Sequence, residues 1–130
     1  MFRFIVIFTT ILHVALPVQA AEWVCPADIA SVNNGEFCES EHAEYKAKKA
    51  DKTLNEVYRQ LLNDYTREED KQPWIVAQRA WLKFMEADCF ATSQKNAGAS
   101  STKNFVYFSC RNEKTIQRTK ELKSYCESCN

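Results

Sequence analysis

Six cysteines are the feature that most constrains how this chain can fold. All of them lie downstream of an apolar N-terminal segment, at positions 25, 38, 89, 110, 126 and 129. Residues 4–16 are almost all apolar, but this run is too short to span a bilayer and Pro17 breaks it. The layout predicts a signal peptide over residues 1–20, cleaved after Ala20. An even number of cysteines in a small exported domain predicts a disulfide framework.

The exported part, residues 21–130, has the size of one domain and is expected to keep no stable membrane anchor after cleavage. Removal of Arg3 with the signal peptide changes the net charge from zero to −1. This balance disfavours nucleic acid as a partner. We therefore expect a periplasmic or secreted protein.

The spacing of apolar residues predicts three helices and no strands. Between residues 36 and 65 apolar positions recur every three or four residues, which indicates a long first helix. Pro73 suits the first turn of a second helix that ends at Cys89. Residues 91–104 hold no large apolar side chain and are interpreted as a loop before a third helix. A bond between Cys89 and Cys110 would enclose this loop as the segment 91–109. The expected fold is all-α, a small disulfide-stapled bundle of about three helices.

The expected lengths of the helices limit which cysteines can pair with each other. With a rise of about 1.5 Å per residue, a second helix that runs back from Pro73 brings Cys89 level with residues near 50, far from Cys38. The expected pairs are Cys89–Cys110, Cys25–Cys38 and Cys126–Cys129. In the alternative, residues 25 and 38 pair with 126 and 129.

The C-terminal motif Cys126-Glu-Ser-Cys129 also allows a redox pair, or half of a zinc site with two other cysteines. Its position after a helix C-terminus disfavours a thiolate, and an oxidising compartment favours disulfides. We expect no metal and no cofactor. His42 is the only histidine of the exported part, so no Ser-His or Cys-His pair is available for nucleophilic catalysis, and we expect no enzyme activity.

Several polar and aromatic residues have expected structural roles. Trp81 and Phe84, three residues apart, are expected to fill the seam between helices. Asp51 and Asn55, one turn apart, are expected to join a polar network with Gln78 and Arg79 of the second helix, with contacts to a partner as the alternative. The full set of expected structural residues is Asp51, Leu54, Asn55, Tyr58, Gln78, Arg79, Trp81 and Phe84. A row of exposed lysines at positions 46, 49 and 52 is interpreted as a solvated face, with docking on an anionic surface as the alternative.

Three segments together resemble one family of exported bacterial domains. AQRAWLKF at 77–84, with Cys89 after it, is similar to a Gln-Arg-x-Trp helix that ends in cysteine. ADKTLNEVYRQLL at 50–62 resembles the family's first helix, and Cys110 with the residues that follow it resembles the closing segment, through Thr115, Arg118 and Leu122. The family is that of the LprI-like lysozyme inhibitor N-terminal domain, and the resemblance spans about residues 36–123.

The resemblance implies an all-helical exported domain that binds a protein partner, a lysozyme or another wall-degrading enzyme. One departure is that Met85-Glu86 stands where family members usually carry Arg-Asp, which removes a cation. Two other functions stay open: an immunity-type or other periplasmic protein-binding domain, and a small cell-wall hydrolase. The hydrolase is disfavoured because no nucleophile–base set is present.

A lysozyme carries its catalytic carboxylates in a groove shaped for a sugar chain. An inhibitor of such a groove needs a protruding segment whose shape is fixed before binding. In this chain that segment is 91–109, whose candidate partner-binding residues are Lys95, Asn96, Ser100, Ser101 and Lys103. The rival contact is the acidic stretch 67–70, which would attract a basic lysozyme, and the segment 91–109 could also be a plain polar connector.

Overall fold

The protein contains three long helices in a computed structural model that describes residues 23–26, 35–95, 98 and 100–129. They are α1 (Glu36–Asn63), α2 (Glu68–Gln94) and α3 (Ser100–Tyr125), followed by a 3₁₀ turn at Glu127–Cys129. No strand occurs within these described ranges, so the all-α class is confirmed. The expected signal peptide and its cleavage site lie outside the described residues.

Helices α1 and α3 run parallel and pack along most of their lengths. Near the middle of α1, Asp51 forms an ion pair with Arg111 of α3. Just beyond the C-terminal end of α1, Asp64 accepts a hydrogen bond from the backbone N–H of Glu127. From the first contact to the second the residue number increases along both parts of the chain, so the two helices point in the same direction.

Helix α2 runs antiparallel to α3 and packs on it. At one end the rings of Trp74 and Tyr125 lie 5.3 Å apart. Toward the other end Cys89 is bonded to Cys110. The bundle therefore has an up-down-up order, and Asp51, Cys89 and Arg111 share one level, as the helix-length reasoning predicts.

The start of α2 lies earlier than the sequence indicates. The helix begins at Glu68, so Pro73 lies inside it and not in its first turn. The missing N–H of Pro73 costs one backbone hydrogen bond. Three acidic residues in the first turn, Glu68, Glu69 and Asp70, favour this earlier start because carboxylates stabilise the positive end of a helix.

The predicted loop over 91–109 is wrong. Residues 91–94 continue α2 and residues 100–109 already belong to α3, so the connection is reduced to residues 95–99. The segment lacks large apolar residues, but its Ala, Gln, Ser and Lys side chains are compatible with helix. A helix end that is exposed on most sides needs no apolar stripe, and the apolar pattern therefore failed to reveal it.

The main core lies at the end of the bundle where α1 and α3 finish. Leu54, Val57 and Leu61 of α1 pack against Leu122 of α3 and Cys126. Each such aliphatic side chain stabilises the fold by about 1.5–3 kcal/mol when it is fully buried. Aromatic residues from α1, its connection and α2 cover this core, namely Tyr58, Tyr65, Trp74 and Trp81.

The expected role of Phe84 in the helix seam is wrong, because 59% of this residue is exposed. The seam passes instead through Met85 and Cys89, which are fully buried. Trp81 is half-buried at the edge of the core, where the Arg118 guanidinium lies 5.9 Å from the centre of its ring. The apolar residues of α2 fit two neighbouring stripes, and the sequence favoured the wrong one.

All six cysteines are in disulfides, with the pairs that helix lengths favour. The Cα atoms are 5.6 Å apart in Cys25–Cys38, 5.5 Å in Cys89–Cys110 and 5.4 Å in Cys126–Cys129. The crossed pairing and the four-cysteine zinc site therefore do not form. Over the described part of the chain, no cluster of three or more acidic, histidine or cysteine side chains is arranged to hold a metal ion.

None of the three described helices combines the length and apolar content needed to cross a bilayer. The short N-terminal segment that is described, residues 23–26, packs on α1. There the ring of Trp23 stacks on that of His42, with centroids 4.9 Å apart. Together with the Cys25–Cys38 bond, this contact ties the segment to the start of α1.

Candidate functional site

The candidate partner-binding residues gather where α2 turns into α3, a region that we call the tip. The tip consists of the last turn of α2, the connection 95–99 and the first turn of α3. Lys95 directly follows α2 and is exposed, whereas Ser100, Ser101 and half-buried Lys103 lie in the first turn of α3. Asn96 lies outside the described residues. The structure brings the described candidates together on helix ends, not on the long loop that was expected.

Three links between α2 and α3 hold the helices behind the tip. The first is the Cys89–Cys110 disulfide, whose Cys89 is fully buried. The second is an ion pair in which Lys114 Nζ lies 2.9 Å from an Asp88 oxygen. The third is a hydrogen bond between Tyr107 of α3 and Glu86 of α2. Together they fix the relative position of the two helices that the tip joins.

The third link joins Tyr107 and Glu86. The Tyr107 hydroxyl donates to Glu86 Oε1 at 2.7 Å. Burial, and then the hydrogen bond to Glu86, raise the pKa of Tyr107, while the nearby Arg111 lowers it to a smaller extent. The phenol therefore stays protonated at neutral pH, and it can act as the donor throughout the physiological range.

The described residues of the tip make local contacts. Ser93 is buried and its hydroxyl donates to the backbone carbonyl of Phe90 at 2.7 Å. The backbone N–H of Lys95 donates to the carbonyl of Thr92, which closes the last turn of α2. A Cβ at Gly98 would lie 3.3 Å from Thr102 Cβ, so the absence of a side chain lets Gly98 approach α3 closely.

The chemistry of the tip is cationic and polar. The first turn of α3 has no acidic residue, so its side chains do not neutralise the positive end of the helix dipole. Lys95 and Lys103 add two positive charges there, and the exposed Phe90 lines the same cavity as Lys103. A cavity of about 280 Å³ separates the helix ends and is lined by Phe90, Ser93, Gln94, Ser100, Lys103, Asn104 and Tyr107. Such a surface can receive carboxylates and hydroxyl-bonding groups.

The polar network expected between α1 and α2 is wrong, because arginines of α3 supply the contacts. Asp51 pairs with Arg111 at 3.5 Å, and buried Gln78 accepts a hydrogen bond from Arg118 Nε at 3.1 Å. Asn55 and Arg79 are exposed instead. The sequence carried a signal for this arrangement, since Arg111 and Arg118 are seven residues apart and therefore share one helix face.

The departure at Met85-Glu86 has a structural explanation. Met85 is fully buried, so a cation at this position would have to be buried with a partner. Methionine fills the same site without a charge, and its flexible side chain adapts to irregular spaces. Glu86 remains polar and accepts the hydrogen bond from Tyr107. The departure therefore changes the seam between the helices and leaves an acidic residue beside it.

The acidic stretch at 67–70 is occupied by contacts with its own neighbours. Arg67 makes two hydrogen bonds to the Asp70 carboxylate, at 2.7 and 2.8 Å, and an ion pair with Glu69 at 2.9 Å. Lys71 pairs with Glu68 at 2.6 Å. Each of these three carboxylates thus has a cation beside it, and the stretch presents little unbalanced negative charge.

Comparison with known families identifies the group to which the chain belongs. Residues 36–122 match the model of the family described as lysozyme inhibitor LprI. The matched segment begins with α1 and ends near the C-terminus of α3, so it includes nearly all of the three helices and the whole tip. No curated protein and no solved structure matches the chain closely enough to count as similar. The resemblance carried by the Gln-Arg-x-Trp motif is confirmed: the chain belongs to the LprI lysozyme inhibitor family.

Proposed function

We propose that this protein is an exported inhibitor that binds a lysozyme through the tip and blocks its substrate groove. The observation that carries the proposal is a cationic tip, with Lys95 and Lys103, on two helices that the Cys89–Cys110 disulfide joins. The description of the family supplies the class of target, and the tip supplies a surface with suitable charge.

Export is part of the proposal. Residues 1–20 act as a signal peptide, and residues 21–130 form the single mature domain. Three disulfides support this assignment because such bonds persist in oxidising compartments outside the cytoplasm. The expected site of action is therefore the periplasm or the medium, where lysozymes are met.

The tip blocks the groove by occupying it, without any chemical step. A lysozyme groove holds two carboxylates that flank the scissile bond. Lys95 and Lys103 approach these carboxylates, while Ser100 and Ser101 offer hydroxyls to polar groups that otherwise bind sugar. Since the disulfide and the Tyr107–Glu86 bond hold the helices before binding, little conformational entropy is lost on association.

The pairing of charges favours the tip, and not the acidic stretch 67–70, as the surface that contacts the lysozyme. The carboxylates at 68–70 are paired with Arg67 and Lys71, whereas none of the ion pairs among the described residues involves Lys95 or Lys103. Unpaired cations are free to steer association with an anionic groove and to make it sensitive to salt.

The test is inhibition of several lysozymes by the oxidised mature protein and by two matched variants. The tip variant carries Lys95→Glu and Lys103→Glu. The control variant carries Lys52→Glu and Lys83→Glu, which make the same change in charge at exposed positions far from the tip. We expect the wild-type protein and the control to inhibit at micromolar concentration or below, and the tip variant to be weaker by about tenfold or more.

Two outcomes would overturn the proposal. Equal inhibition by the tip variant and the wild-type protein would remove the tip from the mechanism. Failure of the wild-type protein to inhibit any lysozyme at micromolar concentration would show that lysozyme is not the target of this member.

A further inference from the structure

A groove lies along the seam between α1 and α3, and its lining comes from these two helices alone. Its volume is about 450 Å³. This volume lies within the range of roughly 300–1,000 Å³ that is typical of small-ligand sites. The groove is separate from the tip, since none of the candidate residues for lysozyme binding lines it.

The floor of the groove is apolar. Ala50 and Ile116 lie along it, and Ile116 is 43% exposed although it lies between two helices. Two threonines and Asn112 also line the groove, and each threonine hydroxyl donates within its own helix. Thr53 donates to the carbonyl of Lys49 at 3.2 Å, and Thr119 donates to that of Thr115 at 2.8 Å. Each threonine hydroxyl therefore has no hydrogen left to donate to an anionic ligand, and its methyl group adds apolar surface.

The rim of the groove is cationic. All the ionisable side chains that line it are lysines, two from α1 and two from α3: Lys46, Lys49, Lys120 and Lys123. Within the described part of the chain, none of the four lies within ion-pair distance of a carboxylate. The neighbouring Lys48, by contrast, pairs with Glu44 at 2.6 Å. Four unpaired cations around an apolar strip attract an anion that also carries an apolar part.

The dimensions of the groove suit a small ligand, because only nine residues line it. The lining covers residues 46–53 of α1 and 112–123 of α3, a length of about 10–16 Å at the rise of a helix. An alkyl chain of moderate length lies comfortably along such a strip.

We infer that the groove binds a single-chain amphiphile with an anionic headgroup, of the fatty-acid class. The alkyl chain lies on the floor beside Ala50 and Ile116, and the carboxylate is held among the rim lysines. This binding accounts for the lysine row at positions 46 and 49, which the tip does not use. It does not rest on lysozyme inhibition.

The direct test is calorimetric titration of the oxidised mature protein with dodecanoate below its micelle concentration. Dodecanol, which has the same chain without the charge, and acetate, which has the charge without the chain, are the matched probes. We expect micromolar binding of dodecanoate, binding of dodecanol that is weaker by about tenfold, and no measurable binding of acetate. Equal binding of dodecanoate and dodecanol would contradict the inference, as would the absence of dodecanoate binding.

Two variants locate the site. Lys49→Glu with Lys123→Glu reverses the charge of the rim, and it should weaken dodecanoate binding by about tenfold or more while lysozyme inhibition stays unchanged. Lys95→Glu with Lys103→Glu at the tip should leave dodecanoate binding unchanged. Circular dichroism melting of each variant verifies folding. Unchanged dodecanoate binding in the rim variant would overturn the inference, and so would an acidic helical peptide that displaces dodecanoate at lower concentration, which would point to a protein partner.

Discussion

The two ends of the bundle are stabilised by different physical means. At the base, where α1 and α3 finish, Leu54, Val57 and Leu61 pack against Leu122 under a cover of aromatic rings. Toward the tip, α1 contributes only small buried residues, and α2 and α3 are joined by a disulfide and by polar pairs. The base depends mainly on the burial of aliphatic side chains, whereas α2 and α3 near the tip are joined chiefly by the Cys89–Cys110 bond and by polar pairs around buried Met85.

A small domain can thus keep a polar, cationic end exposed. In the proposed function Lys95 and Lys103 must reach a partner, so they cannot be buried in a core, and their end of the bundle lacks that source of stability. The Cys89–Cys110 bond supplies order there without covering the surface. The comparison therefore predicts that the base and the tip respond to different perturbations.

The largest effect is expected at the base. Leu61 is fully buried, so Leu61→Ala should lower the free energy of unfolding by about 3–4 kcal/mol, through lost burial and a residual cavity. Phe84→Ala is the control, because Phe84 is mostly exposed and its removal should cost less than about 1 kcal/mol. Chemical denaturation measures both. Similar losses for the two variants would mean that the core is misplaced.

The next effect concerns the tip. Cys89→Ser with Cys110→Ser should cost about 3 kcal/mol, as expected from the loop that the bond closes. Hydrogen exchange should become faster in residues 90–109 while the amides around Leu54 and Leu61 are less affected. If exchange rises equally at both ends, the tip is not a separately stabilised region.

An intermediate effect is expected where α3 meets α2. Gln78→Ala removes the buried acceptor of the Arg118 hydrogen bond and should cost about 1–2 kcal/mol. Asn55→Ala changes an exposed polar residue and should be close to neutral. Thermal melting of the pair distinguishes them. A neutral Gln78→Ala would show that Arg118 is satisfied by Glu121 alone.

The smallest effect concerns the C-terminal 3₁₀ turn and depends on pH. Hydrogen bonding from Ser128, and then from the Glu127 backbone, lowers the pKa of Asp64. A lowered pKa stabilises the fold above the ordinary value for aspartate, about 3.9, and this contribution disappears as the pH falls through the lower folded value. Asp64→Asn should therefore reduce the loss of stability in acid. An identical acid dependence in both proteins would remove Asp64 from this role.

Much of the bundle could be predicted from the sequence. Periodic apolar residues indicate the helices, and helix lengths determine which residues of neighbouring helices lie side by side. Pro73 and Cys89 placed the second helix well enough to pair Cys89 with Cys110. The end of α2 and the start of α3 were not predicted, because polar residues without an apolar stripe can be helical when neighbouring turns support them. Phe84 was misplaced because two adjacent stripes of α2 are both apolar, and only tertiary packing decides which one is buried.

The contacts of the arginines could not be predicted. Arg111 and Arg118 share a face, but their partners, Asp51 and Gln78, depend on the parallel packing of α1 with α3, which the order of the elements does not determine. The groove between α1 and α3 could not be predicted for the same reason. Lys46 and Lys49 form a visible row in the sequence, but Lys120 and Lys123 join them only in the folded bundle.

The most direct test of the account is hydrogen exchange of the oxidised protein, alone and in complex with a lysozyme that it inhibits. If the tip occupies the substrate groove, protection should appear in residues 92–105 and should be lost together with inhibition in the Lys95→Glu, Lys103→Glu variant. Protection confined to residues 67–73, or to the α1–α3 groove, with no change at the tip, would contradict the account.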